Sequence, residues 1–159
     1  MIGKCIAHLW DMLPQLIAAL VGTLGFALVF KIKGSYIPFV CLGGFATYGI
    51  YLVMTFLGRS EFTSALIAAM FVALLSEVLA YTLKAPTVIF LTTVSISIIP
   101  GSGLYYSMRY FLLQDMENFS RAFKSTCAIA AGIVCGIVII SVTAKIFMAV
   151  KNRLKTDNS

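Results

Sequence analysis

An all-α integral membrane fold of about five transmembrane helices is what the sequence predicts, and three observations predict it. Of 159 residues, 60% are hydrophobic and only 11% charged, whereas a soluble domain carries about 25% charged residues. Too few charges exist to clothe a water-facing surface. The mean hydropathy of +0.99 places most of the chain in lipid. Apolar runs close to the roughly 20 residues that a helix needs to cross hydrocarbon recur along the whole chain.

The first run, residues 13–30, ends at Lys31-Ile-Lys33-Gly34. The second, 37–57, stops at Gly58-Arg59-Ser60-Glu61. The third, 62–83, closes on Lys84-Ala85-Pro86. The fourth, 87–113, is interrupted at Pro100-Gly101, and the fifth, 126–150, precedes a polar tail. Backbone groups in lipid must be satisfied within their own segment, so the runs are expected to be helices. The links are short, the longest polar stretch being Gln114 to Ser125, so residues 1–159 are expected to form a single transmembrane domain. The first run has no small-x-small cleavage site after it and is expected to be a retained helix rather than a signal peptide.

Orientation follows from Lys and Arg. Five spans put the termini on opposite sides. The expectation is a plasma-membrane protein with its N-terminus outside and its tail, with Lys151, Arg153 and Lys155, in the cytoplasm. Lys31, Lys33 and Lys84 then join that side, while Lys4, Arg59, Arg121 and Lys124 fall opposite, six against four. The net charge of +6 is spread over helix ends rather than gathered on one polar face, which argues against nucleic acid as a partner. The lipid bilayer is the expected surround. Cys5, Cys41, Cys127 and Cys135 form no C-x-x-C pair, so neither a metal site nor redox chemistry is expected. His8 sits beside Trp10 and Asp11 as an interface residue. No nucleophile has a spaced base and orienter, so no catalytic residue, cofactor or enzyme activity is expected.

Four polar features interrupt the apolar background. Ala128, Gly132 and Gly136 form a small-x-x-x-small ridge suited to close helix packing. Gly44, Thr47, Tyr48, Tyr51, Thr55 and Gly58 share one stripe of the second helix, by the 100° step of an α-helix. Tyr48, Tyr51 and Thr55 therefore line either a substrate path or a packing seam. Glu77 is the one carboxylate inside an apolar run, with small neighbours at Ala73, Ser76 and Ala80. It is either a proton-coupling group or an interfacial residue reaching headgroups. In the fourth run, Thr92, Thr93, Ser95 and Ser97 lead into Pro100, Gly101, Ser102 and Gly103. Proline removes an amide donor, and the glycines let a second half-helix start with free amides at its positive end. Such a terminus suits a substrate carboxylate; the plainer alternative is a proline kink. Beyond it, Ser102, Tyr105, Tyr106 and Arg109 share a face. Arg109 either pairs with an anionic substrate or snorkels to the interface.

These residues together resemble the threonine/serine exporter family, and within it the small membrane-only subunit. The resemblance rests on Gly25-Phe26-Ala27, on Ala85-Pro86, and on Pro100-Gly101 followed by Tyr105, and covers the chain from about Leu13 to Val150. It differs from the family's pattern in having Ser97 where a second proline is frequent. The resemblance implies a larger membrane subunit of the same family as partner, and by analogy an inverted-repeat arrangement of the two halves. The expected function is a subunit of a secondary exporter for small hydroxy-amino acids, threonine or serine, or for related small carboxylates. The alternatives are a non-transporting accessory subunit and a self-assembling channel. The expected substrate-binding residues are Pro100, Gly101, Ser102, Gly103, Tyr105, Arg109, Tyr48, Tyr51 and Thr55, with Glu77 for proton coupling.

Overall fold

Each apolar run becomes a helix in the computed structural model, and no strand occurs among the described residues. The structure describes the backbone of residues 2–157 and the side chains of residues 13–147 and 149. The side chains of Lys4, Cys5, His8, Trp10 and Asp11, and the basic residues Lys151, Arg153 and Lys155 of the tail, lie outside the described set. The helices are α1 (Ile2–Val29), α2 (Ile37–Phe56), α3 (Glu61–Leu83), α4 (Thr87–Ser95), α5 (Gly101–Leu112) and α6 (Met116–Asp157). One 3-10 turn, Gly34–Tyr36, leads into α2, and another, Ile96–Ile98, extends α4.

Among the described residues, three helical segments are long and apolar enough by themselves to cross a membrane: Gly34–Phe56, Glu61–Leu83 and Met116–Phe147. Thr87–Ile98 and Gly101–Leu112 qualify together as one bent crossing, with 51° between their axes. The described apolar part of α1, Leu13–Val29, is shorter than these. All five expected runs are thus helical, four of them with the length and composition of a crossing once the bent pair counts as one.

The helix ends follow one chemical rule. Lys31, Gly58, Lys84 and Gln114 all adopt positive φ, between 50° and 71°. In each case the next residue's amide reaches back five positions: Ile32 to Ala27, Arg59 to Met54, Ala85 to Ala80 and Asp115 to Tyr110. This double-wrapped C-cap satisfies carbonyls that the helix leaves open. Helix starts are capped too. The Ser60 Oγ accepts from the Thr63 amide at 3.3 Å, and Asp115 accepts from both the backbone and side-chain nitrogens of Asn118. Those two bonds hold the Asp115 carboxyl below the usual carboxylate range, because they favour its charged form.

Packing is built on small residues. The buried surface of α3 is mostly small: Ser64, Ala65, Ala68, Ala69, Val72, Ala73 and Ser76, each at most 1% exposed, with Leu79 beyond them. Against it lies the ridge of α6. A Cβ on Gly132 would stand 2.5 Å from the Phe62 carbonyl oxygen, and one on Gly136 would stand 2.6 Å from that of Leu66. Stepping four residues along α6 therefore steps four along α3 in the same direction, so the two helices run parallel. α2, α3 and α4 close the apolar core around Val40, Val72, Phe90 and Val94. Tyr36 ties one end together: its hydroxyl donates to the Leu83 carbonyl at 3.2 Å and its ring packs on Phe90. Lys31, Lys33 and Lys84 thereby come to the same end of the bundle. α5 differs from the rest, because its packing is on α6.

The α3–α6 seam can be tested by volume. Gly136→Val should lower the stability of the purified protein by at least the roughly 1–3 kcal/mol of overpacking, read as a fall in thermal unfolding temperature. Gly25→Ala, where an added Cβ meets nothing within 4 Å, should leave that temperature unchanged. Equal effects of the two would refute close backbone approach at Gly136.

Candidate functional site: a cleft at the broken helix

The break between α4 and α5 arises from local chemistry. Thr92, Thr93, Ser95 and Ser97 all turn their hydroxyls back onto carbonyls of their own helix, three or four residues earlier. Such back-bonding loosens and bends a helix. The chain tightens into the 3-10 turn Ile96–Ile98, Ile99 becomes extended, and Pro100 supplies no amide. Helix α5 then restarts at Gly101, the residue at which the sequence predicts a second half-helix.

The start of α5 is uncapped by any side chain. The Gly101 amide, expected to be free, donates to the Ile99 carbonyl at 2.8 Å, and Leu104 donates to Pro100. The amides of Ser102 and Gly103 are left without an acceptor among the described residues. Two donors and the positive end of a helix dipole thus gather at this point.

A cavity of about 350 Å³ opens beside the first of these, Ser102, while Gly103 is not among its walls. Its walls include Gln15, Gly22 and Thr23 of α1, Tyr48 of α2, Ser97 and Ile99 before the break, and Gly101 and Ser102 after it. Across the cavity the Tyr48 hydroxyl donates to Gln15 Oε1 at 3.1 Å, and Tyr51 stacks on Tyr48 at 6.0 Å between ring centres. Tyr48 lies eleven residues, roughly 16 Å, into the 20 residues of α2. Ser97 lies a similar distance beyond the first residue of α4. Both measures place the cleft at about half the depth of the bundle. Among the described residues, the walls include no Asp, Glu, Lys or Arg and present neutral hydroxyl, amide and backbone groups.

Of the residues expected at the site, Tyr48, Gly101 and Ser102 meet at this cleft, and Pro100 joins its two walls. Tyr51 stands behind Tyr48, half-buried against the core. Thr55 is exposed and donates to the Tyr51 carbonyl. Tyr105 and Arg109 lie elsewhere, on a groove of about 370 Å³ with Met108, Leu112 and Leu113. Gly103 is a packing residue: a Cβ there would collide with the Thr126 hydroxyl of α6. Glu77 is partly buried near the far end of α4, with Thr87 Oγ1 at 3.5 Å from its Oε2. Ten residues, roughly 15 Å, separate Thr87 from Ser97 at the cleft. Gln15 and Thr23 were not expected at the site. Gln15 carried a signal, as an amide inside an apolar run; Thr23 carried none beyond being a hydroxyl among many. Among the described residues, no cluster of potential metal ligands occurs.

These observations define a multi-pass α-helical membrane protein whose broken helix frames a polar cleft at mid-depth. Residues 15–143 match the family described as Threonine/Serine exporter, ThrE. The chain belongs to that family, a family of membrane transporters. No curated protein and no solved structure is significantly similar to the chain.

The two glycines of the break should separate by variant. Gly101→Val should leave thermal stability within about 0.5 kcal/mol, the usual range away from packed sites, since nothing lies within 4 Å of its Cβ position. Gly103→Val should destabilise markedly, and Thr126→Ala should recover part of that loss. A melting curve for each variant decides it; equal losses at both positions would contradict this packing.

Proposed function

We propose that this chain is a subunit of a secondary exporter that carries small hydroxy-amino acids, serine and threonine, across the plasma membrane, and that it is not an enzyme. The observation that carries the reading is the uncapped start of α5 on a half-depth cleft with neutral walls. The Ser102 and Gly103 amides suit a substrate carboxylate. The last-turn carbonyls of the segment before Pro100 form the negative end of the other half-helix and, with Gln15 Oε1, suit an ammonium group. A zwitterion fits both ends at once. The hydroxyl oxygens of Tyr48 and Ser97, which already donate within the protein, remain as acceptors for a substrate hydroxyl. A dicarboxylate would bring two negative charges to walls without a cation, so the hydroxy-amino acid is favoured over other small carboxylates.

A larger membrane subunit of the same family completes the transporter. Glu77, about half a bilayer from the cleft, serves proton coupling rather than substrate contact. The test is exchange of labelled serine, threonine and succinate in vesicles holding both subunits. Serine and threonine should exchange and succinate should not. Gly101→Val should reduce exchange at least tenfold, while Glu77→Gln should lose proton-driven net export yet keep exchange. Full serine exchange by the partner alone would sink the transport role and leave an accessory subunit. Unchanged pH dependence in Glu77→Gln would make that residue structural.

Five crossings, with residues 87–113 as one broken span, put the N-terminus outside and the C-terminus in the cytoplasm. This orientation is supported by the gathering of Lys31, Lys33 and Lys84 at one end of the bundle and by the positive-inside rule. Ser159→Cys should resist an impermeant thiol reagent added to intact cells and react after permeabilisation. Labelling from outside would reverse the orientation.

A further inference from the structure

The outward face of α5 is not one that hydrocarbon covers well. Ser102, Tyr105, Tyr106 and Arg109 follow at three- and four-residue steps and form one stripe. All four are exposed. The stripe begins on the lip of the cleft at Ser102 and ends at Arg109, in the last turn of α5. The guanidinium of Arg109 has no carboxylate partner among the described residues, where the one ion pair joins Arg121 to Glu117. The other exposed faces are different. α1 presents Leu13, Ile17, Val21, Leu24 and Leu28, and α6 presents Val134, Val138, Val142 and Ile146, faces made for acyl chains. On α5, three hydroxyls, a cation and the neighbouring uncapped amides stand together, and polar groups left open to hydrocarbon are strongly disfavoured.

We infer that this stripe and the adjoining lip of the cleft are the docking face for a second membrane-embedded protein, whose facing helix carries an Asp or Glu opposite Arg109. Charge complementarity selects that chemistry over a lipid tail or a plain apolar helix. A second copy of this chain is a poorer match. Among the described carboxylates near that end, Glu117 is paired with Arg121 and Asp115 with Asn118, while Glu61 lies in the first turn of α3, where the helix dipole favours it. Tyr105 and Tyr106, packed edge to face at 5.4 Å, supply the large amphipathic contacts that interfaces favour. The inference rests on the exporter reading only in taking the covered cleft for the complete substrate site.

The test uses a photo-crosslinking phenylalanine analogue in native membranes that contain every subunit. Placed at Tyr105, it should form an adduct with a different membrane protein. Mass spectrometry should locate the attachment within about two helical turns of an Asp or Glu in an apolar segment. Placed at Val138, it should give lipid adducts. Arg109→Glu should cut the Tyr105 adduct roughly tenfold or more, and Arg109→Lys should keep most of it. Thermal unfolding of the purified variants checks that each is folded, and Arg109→Gln serves if Arg109→Glu is not. Lipid adducts alone at Tyr105, an adduct of twice this chain's mass, or full yield in a folded Arg109→Glu or Arg109→Gln each overturns the inference. Serine exchange by Gly101→Val separates the two readings. Loss of exchange with no protein adduct leaves the cleft and removes the docking face; an adduct with normal exchange does the reverse.

Discussion

Inside hydrocarbon a polar group must find its partner within the protein, most often on its own helix, and the rest of this structure depends on that constraint. Seven hydroxyls are buried among the described residues: Thr23, Thr47, Ser64, Ser76, Thr93, Ser107 and Thr126. Every one donates to the carbonyl four residues before it. No buried side-chain polar atom among the described residues lacks a partner. Four helix ends fold their last carbonyls back under the amides that follow. The segment from Ile99 to Gly103 breaks the rule, with a proline that cannot donate and two amides that have nothing to donate to. Uncapped first-turn amides also occur at the start of α4, so what sets the Ile99–Gly103 segment apart is its place at about half the depth of the bundle.

Self-satisfied hydroxyls also shape the packing. A serine or threonine bonded to its own helix behaves as a small residue and lets a neighbour approach closely. Thr23 receives Gly44, and Thr126 receives Gly103, with no room for a methyl group in either contact. Alanines and glycines do the same for α3 and α6. Helix association here comes mainly from backbone proximity and dispersion, with few polar bonds between helices, among them Tyr48 to Gln15 and Tyr36 to Leu83, as expected where lipid tails are as apolar as any side chain.

The helicity of each apolar run and most helix ends were legible in the sequence, because lysine, arginine or glycine stops most apolar runs; the start of α6, at Met116 rather than near residue 126, was not, since its first turns are polar. The break was legible too, since Pro100-Gly101 is the one place where a donor is missing and a side chain is absent together. Side-chain direction was less so. Periodicity finds a face only when polar and apolar residues alternate, and in lipid most faces are apolar. Tyr48 and Tyr51 share a stripe, yet the first points into the cleft and the second against the core. Ser102 and Arg109 share another, yet it turns outward below the cleft. Gly103 read as an open backbone because nothing in its own helix shows that Thr126 lies across from it. The cleft draws its walls from four separate parts of the chain, and only tertiary contact brings Gln15 to Ser97.

The two halves of the broken helix are mounted on different supports. The first half belongs to the core with α2 and α3, while α5 leans on α6. α6 in turn grips α3 through a smooth glycine seam, with about sixteen of its residues standing before that grip. The cleft therefore has one fixed jaw and one carried on a long lever whose fulcrum lies near Gly132 and Gly136. Any displacement of α6 along that seam would carry α5 with it and change the space beside Ser102, while the core around Val72 and Phe90 rests on α2, α3 and α4.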